Sequence, residues 1–524
     1  MNVFIFGIDG ASPDLVDKWI DRGHLPNLQK IRDRGCSGTL RSTFPPLTGP
    51  AWSTFQTGTN PGQHGVYHWL DDSRSYRGHV NSASSIRTIT VWELISSRGG
   101  EVYLLSLPLT YPPRKVNGYT IPGFLTPDSA PDRSHPPGLA HQLKEQVPEF
   151  RFCPPQYFGS RPRRWVQELK SAVAARGRAA RYLFRRRFSE NGSPPKRAVW
   201  TVHFLASDQV QHFLWDQSSE NWDPKLDVFE EIDRQIGKML EMAPPDSTFL
   251  AVSDHGFGGI DWIFNVNNWL REEGYLKLKR SFPTRLKLKA SNLGLDQRTL
   301  EPLGEKVYLA LKKLQITDEA PITAVQHPLL KTGFLSHKDV DWKETVAYSR
   351  ADIGHIRLNV RGRENFGTVE EGDYQSLRQE IMGKLGEVRL PDSSKQMVKW
   401  IKPREELYSG PYLNLAPDVL FSGLERGVLG YGAAMFLSTR VFDSPIKPGD
   451  HRREGMLLAA GSTVKHESCS ASMVDIAPTI LNLLGYPIPR EMDGSVIREI
   501  SARQPIYSSP ESFYREEIGK RWRR

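Results

Sequence analysis

An unbroken apolar run near the start of the chain, Val3-Phe4-Ile5-Phe6-Gly7-Ile8, stops abruptly at Asp9-Gly10. A strand that is apolar on both faces has to be covered on both faces, which is the interior of a parallel sheet. The same sequence of events, apolar run and then polar loop, recurs at Val102 to Ser106, Ala198 to Phe204, Thr248 to Val252 and Met456 to Ala460. The repetition predicts an α/β fold, a doubly wound and mostly parallel sheet flanked by helices, whose ligands gather at the carboxyl ends of the strands. Strand-like segments return at Ile356 to Val360 and Val419 to Phe421. Between them and the first half lies a Lys-rich, helical stretch without obvious chemistry. The expected organisation is therefore a catalytic core from 1–261 and 346–505, a helical insertion or cap over 262–345, and a basic C-terminal tail over 506–524.

The first strand is followed by a helical period over Leu15 to Ile31, broken at Gly23 and Pro26. Thr43-Phe44-Pro45-Pro46-Leu47-Thr48-Gly49-Pro50 holds three prolines and a glycine and predicts an irregular loop. Ala51 to Gln56 then opens a helix, with Pro50 near its first turn. The chain begins directly in a strand, so no signal peptide is expected. No apolar run reaches the length of about 18 residues that a spanning helix needs.

Three cysteines, Cys36, Cys153 and Cys469, are too few for a disulfide framework or a thiolate metal site. A reducing cytoplasm is the expected compartment, and any metal has to be held by nitrogen and oxygen. The net charge of +9 is concentrated in Arg161 to Arg197 and in Lys277 to Lys313. Both stretches have helical spacing, so solvated helix faces are expected; an anionic substrate or a peripheral contact with an anionic membrane is the alternative. There is no nucleic-acid-binding motif.

Four places could carry chemistry. Asp9 follows a strand directly, suited to a ligand but equally to capping the next helix. Asp208 and His212 stand four apart after a strand, so on a helix they share a face and can meet one ion. Asp254-His255 follows the strand ending at Val252; both can reach one ion from a tight loop, which Gly256 and Gly258 permit. His451 precedes the strand near Met456 and is weak alone, since a single histidine is more often structural. His68, His203 and His355 are read as structural or exposed, and His64 as shaping a turn.

These residues also carry a resemblance. Ile8-Asp9-Gly10, Pro45 through Gly65 with Thr48 and Thr57-Gly58 in it, Asp208 with His212, Ser253-Asp254-His255-Gly256, and His451-Arg452 occur in an order that resembles the alkaline phosphatase superfamily. Its type I phosphodiesterase and nucleotide pyrophosphatase branch is the nearest in pattern. Gly362-Arg363-Glu364, Ala416-Pro417-Asp418, Asp475 through Thr479 and Met492-Asp493-Gly494 extend the likeness over the whole chain. The resemblance implies two divalent ions, zinc first and manganese second: one held by Asp9, Asp254 and His255 and touching the nucleophile oxygen, the other by Asp208, His212 and His451. Counting back from Thr57-Gly58 matches the nucleophile to Thr48, with Thr43 five residues too early. A threonine hydroxyl needs a base or a metal to react at neutral pH, and no serine-protease-like arrangement surrounds Thr48. A phosphothreonine intermediate is implied.

The pattern departs from the family at Trp69, where nucleotide pyrophosphatases carry an asparagine that helps to hold phosphate. Nucleotide specificity is therefore not inherited, and Trp69 is expected to pack rather than to stack on a base. Cys36-Ser37-Gly38-Thr39-Leu40 does not supply the nucleophile pattern of the related sulfatases. The expected activity is hydrolysis of a small-molecule phosphodiester or pyrophosphate. The alternatives are a phosphomonoesterase or phosphoryl-transfer enzyme of the same superfamily, and a non-catalytic binding protein on this fold.

Overall fold

The computed structural model describes residues 1–71, 79–127, 130, 132–157, 159, 161–192, 195–297, 299, 333–350, 352–432, 436–509 and 513–514. Its centre is an eight-stranded sheet built from β1 (Asn2–Ile8), β2 (Gly35–Arg41), β3 (Glu101–Leu105), β4 (Gly118–Ile121), β5 (Ala198–Phe204), β6 (Thr248–Val252), β7 (Glu454–Ala460) and β8 (Ser468–Ser472). The spatial order is β8-β2-β7-β6-β1-β5-β3-β4. Strand β7 runs antiparallel to β2 and β6, and every other neighbouring pair is parallel. This is the expected doubly wound, mostly parallel architecture.

Strand β1 shows why an apolar run without alternation becomes a central strand. Phe4, Phe6 and Ile8 enter a core beneath the helices Pro13–Asp21, Pro26–Asp33, Pro162–Asn191 and Pro224–Leu240. Val3 and Ile5 enter a second core beneath Thr48–Thr57, Val91–Ser97 and Ile476–Leu484. Burying both faces of one strand takes the apolar surface of successive residues out of water in opposite directions. The helix expected over Leu15 to Ile31 is two helices, ending at Asp21 and restarting at Pro26, as Gly23 and Pro26 require.

Three sheet strands escape the apolar-run criterion. Strand β2 is Gly-Cys-Ser-Gly-Thr-Leu-Arg, and the cause is close approach: a Cβ at Gly38 would stand 1.7 Å from the Cys469 carbonyl oxygen of β8. Strands β4 and β8 are short and lie at the two margins of the sheet.

A smaller layer leaves the core at Trp262–Asn265, which pairs with Val428–Tyr431 and Phe442–Asp443. Beside it, Ala347–Tyr348, His355–Leu358, Val419–Ser422 and Trp400–Pro403 form a four-stranded sheet. Their shared apolar cluster draws on Phe264, Trp269 and Tyr275 and equally on Tyr348, Ile381, Phe421 and Phe436. The layer that begins where the insertion was expected thus takes its partners from both sides of residue 345. Much of the expected helical cap, including the basic stretch from 300 to Lys313, lies outside the described residues.

The other basic stretch is largely the expected solvated face, with Arg161, Arg163, Arg164, Arg178, Arg185, Lys196 and Arg197 exposed, but two of its arginines turn inward. Arg176 and Arg187 are each only 5% exposed. Arg176 donates to the carbonyls of Arg151 at 3.1 Å and His203 at 3.3 Å, and Arg187 Nη2 meets Glu101 Oε1 at 2.7 Å. These guanidiniums fasten the long helix Pro162–Asn191 to the sheet. At the other end, Tyr507–Ser508 pairs with Ile488–Pro489 and Phe513 is buried, so the first residues of the expected tail belong to the fold. Lys520 to Arg524 lie outside the described residues. Among those described, no helix is long and apolar enough to cross a membrane.

Candidate metal centre

Three loops at the carboxyl edge of the sheet deliver side chains to one place. Asp9 ends β1, Asp254 and His255 follow β6, and the helix Ala206–Leu214 after β5 carries Asp208 and His212. His451 comes from a different direction. It lies on Gly449–Arg452, which pairs antiparallel with Gly256–Gly259 and sets His451 opposite Phe257. Gly256 therefore serves close approach in a strand and not the expected tight loop: a Cβ there would stand 2.1 Å from the Glu454 carbonyl oxygen.

The seven side chains singled out in the sequence all meet here. In one triad, His255 Nε2 lies 3.4 Å from Asp9 Oδ1 and 3.3 Å from Asp254 Oδ2. The ring's other nitrogen, Nδ1, is 3.1 Å from the Gly256 carbonyl and donates to it, so Nε2 presents a lone pair to both carboxylates. Asp9 Oδ1 and Asp254 Oδ2 have no hydrogen-bond partner, and all three residues are fully buried. Burial, with the neighbouring Asp254 and Asp208 charges, pushes the Asp9 carboxyl well above the usual range. Burial, aided by Asp208, takes Asp254 to about 7. Burial, with His451 beside it, pushes the His255 imidazole far down. Two orphaned carboxylate oxygens around an imidazole lone pair repel one another unless a cation stands among them.

In the second triad, His451 Nε2 is 3.2 Å from Asp208 Oδ1 and 3.0 Å from His212 Nε2, and His212 Nε2 is 3.4 Å from Asp208 Oδ1. Each imidazole is oriented through its Nδ1, His212 to the Gly449 carbonyl at 3.0 Å and His451 to the Pro46 carbonyl at 2.7 Å. Two Nε2 atoms this close to each other and to a carboxylate oxygen require positive charge between them, a proton or an ion. Burial raises Asp208, yet His212 and His451 outweigh it and hold the carboxyl below the usual range. Burial takes His212 down to about 4. The triads adjoin through their histidines, since the His255 and His451 rings stack at 3.6 Å and 19°. Each triad places its candidate ligand atoms within 4.8 Å of one another. Mixed carboxylate and imidazole donors suit a divalent metal ion.

Thr48 is the first residue of the helix Thr48–Thr57, three residues earlier than the expected start, and Pro50 sits in its first turn. Its Oγ1 is 3.5 Å from His255 Nε2. The first-turn amides have no acceptor within the helix and favour an anion at this end. Trp69 stands against that turn, two of its ring carbons 3.5 and 3.6 Å from where a Gly49 Cβ would be, and packs edge-on to Phe124.

Sequence reasoning missed the support around Asp9. His203, read as structural or exposed, sets Nε2 2.8 Å from Asp9 Oδ2, and Trp52 Nε1 donates to the same oxygen at 3.3 Å. Burial keeps the His203 ring neutral, its pKa near 3. These contacts leave only Oδ1 of Asp9 for an ion. No local signal marks His203; only the pairing of β1 with β5, Gly7 opposite His203, puts it beside Asp9. His64 shapes a turn as expected, with Nδ1 accepting from the Val66 amide at 3.1 Å and Nε2 3.1 Å from Thr54 Oγ1.

The profile of the type I phosphodiesterase / nucleotide pyrophosphatase family matches residues 3–421. No curated protein matches the chain by sequence. Among solved structures, a phosphonoacetate hydrolase from Sinorhizobium meliloti 1021, bound to phosphonoformate, is 15% identical with a TM-score of 0.51, covering 91% of this chain and 94% of its own. A mutant of the alkaline phosphatase PafA is 13% identical with a TM-score of 0.51, over 95% and 98%. Human ectonucleotide pyrophosphatase / phosphodiesterase 5 is 12% identical with a TM-score of 0.48, over 94% and 97%. At these identities the first two likenesses establish a shared fold.

Proposed function

The chain belongs to the type I phosphodiesterase / nucleotide pyrophosphatase family and is a metal-dependent phosphoric ester hydrolase; from that premise we propose that it cleaves a phosphodiester or pyrophosphate bond of a small molecule through a phosphothreonine at Thr48. One observation carries the reading. The Thr48 hydroxyl, the orphaned Asp9 Oδ1 and the orphaned Asp254 Oδ2 all lie within 3.5 Å of the His255 Nε2 lone pair.

Asp9, Asp254 and His255 would hold one divalent ion, and Asp208, His212 and His451 the other. Ions there supply the positive charge that makes a hydroxyl acidic and balances charge growing on phosphate oxygens. The protein's own part is positional. Carbonyls at Gly256, Gly449 and Pro46 fix the three imidazoles, and His203 and Trp52 fix Asp9, so the donors are aimed before substrate arrives. Thr48 Oγ attacks phosphorus at the mouth of its helix while the bond to the leaving oxygen breaks. The first-turn amides face the phosphate oxygens. Water then cleaves the phosphothreonine and restores the hydroxyl. Zinc is the ion we assign, and the cytoplasm the compartment, on the sparing use of cysteine.

The test is a rate comparison on bis-p-nitrophenyl and mono-p-nitrophenyl phosphate with wild type and Thr48→Ala. Preference for the diester and loss of at least about 10³-fold in Thr48→Ala are expected, in the range of losing a nucleophile. A strong monoester preference, or equal rates in the two proteins, refutes the reading.

A further inference from the structure

Between the core and the smaller layer lies a narrow cavity, partly open to solvent, that the reaction described above does not use. Its walls include His68, Asp71 and Asn81 from the core side and Arg350, His355 and Arg357 from the smaller layer. We infer that this cavity receives a second acidic group of the substrate, a phosphate or a carboxylate, on the part of the molecule remote from the scissile bond. The inference rests on the proposed reaction at Thr48 and specifies the substrate class for it.

Two observations carry it. The first is composition. Among the described residues of the wall are two arginines and one carboxylate, and Arg350 and Arg357 are only 6% and 5% exposed, so their charge is felt in a poorly solvated space. Arg357 is anchored through Nη2 to the Leu415 carbonyl at 2.7 Å, which fixes its plane. The second is His355. It is 2% exposed, and both its ring nitrogens lack a hydrogen-bond partner. A buried imidazole with neither nitrogen satisfied costs free energy unless a ligand supplies the missing contact. Burial first, then His68 and Arg357, hold that ring far below its ordinary pKa. As a neutral ring it offers one N–H to an anion and one acceptor to a hydroxyl.

Placement joins the cavity to the reaction. The His68 carbonyl and the Trp69 ring lie 3.6 and 3.5 Å from the Cβ position of Gly49, the residue after Thr48. Tyr67, another wall residue, shares an apolar cluster with Leu47, the residue before it. The cavity wall thus adjoins the residues on either side of Thr48.

The test uses p-nitrophenyl phosphodiesters whose second alcohol carries a phosphate, a carboxylate or a neutral amide of similar size. Wild type loaded with zinc should show kcat/KM about 10- to 100-fold higher for an acidic alcohol, the worth of a charge-assisted contact. The phosphate and carboxylate arms identify which acid is preferred. Arg350→Gln should bring the ratio near one and Arg350→Lys restore part of it. His355→Phe, a second wall residue, should also lower the ratio, which guards against one variant failing to fold. A wild-type ratio near one overturns the inference and leaves the reaction at Thr48 standing. Should no diester turn over, the reaction fails instead, and calorimetry on Thr48→Ala with the same compounds decides the cavity: tighter binding of the acidic diester supports it, equal binding refutes it.

Discussion

Replacing His203 by leucine should loosen the ion at Asp9 without touching any proposed ligand. The fully buried Asp9 carboxylate has two donors on Oδ2, His203 at 2.8 Å and Trp52 at 3.3 Å, and its other oxygen faces His255. Leucine removes the shorter contact and leaves the longer one to orient the group. A hydrogen bond to a charged group is worth about 1.5–3 kcal/mol, which at about 1.4 kcal/mol per decade is roughly 10- to 150-fold in ion affinity. Losses of about 10- to 100-fold are usual when the partner of a ligand is removed. Glutamine keeps an N–H near the same place and should lose far less. The assay is competition for zinc against a chelator of known affinity, with activity followed as metal is added. His203→Leu should need more zinc to reach half activity and recover most of its kcat at saturation. Melting of the metal-free proteins separates this from lost packing, since His203 also meets the Trp52 ring edge-on at 4.9 Å. Equal zinc affinity in wild type and the leucine variant, or equal losses in leucine and glutamine, would refute the reasoning.

Two further predictions concern stability. Chelation should lower the melting temperature and abolish turnover, with two ions per chain restoring both, because it strands the orphaned oxygens of Asp9 and Asp254 in a buried site. Asp254→Ala should be inactive yet melt no lower than the chelated wild type; elemental analysis finding no bound metal would count against the centre. The second concerns Arg363, which meets the buried Asp418 at 2.7 and 2.6 Å, with Tyr374 on the same carboxylate at 2.7 Å. Arg363→Ala should cost about 3–5 kcal/mol in urea unfolding, toward the low end because Arg404 remains 3.3 Å away. Burial raises the Asp418 pKa, but Arg363 outweighs it and leaves the group below its ordinary value. With the folded pKa below the unfolded one, near 3.9, the unfolded chain binds more protons in acid. The pair's contribution is therefore complete above about pH 4 and fades as pH falls. The difference between wild type and Arg363→Ala should shrink from pH 6 to pH 3, and a constant difference would contradict the account.

Family-like stretches around Arg363 and Asp418 thus serve the smaller layer and not the reaction. Order along the chain could not separate those two roles. Neither could it place His451, whose position depends on Gly449–Arg452 pairing with Gly256–Gly259, residues almost two hundred apart in sequence. By contrast, Asp208 and His212 were legible from spacing alone, because a helix of 3.6 residues per turn brings positions four apart to one face. Asp9 and Asp254 were legible from the strands before them.

The sequence by itself determined the central strands and the residue types that gather at their ends, since a buried strand must be apolar and the break into polar residues marks where it leaves the core. Strands β2, β4 and β8 and the short strands of the smaller layer, His355–Leu358 and Val419–Ser422 excepted, gave no such sign: two to seven residues, some chosen for backbone approach and not for burial, carry too little periodicity. Only the tertiary structure decided that His203 steadies Asp9, that the two triads abut through stacked imidazoles, and that Arg350, His355 and Arg357 line one cavity. Each of these is a contact between residues remote along the chain, and such contacts are set by how the layers pack, which no local pattern encodes.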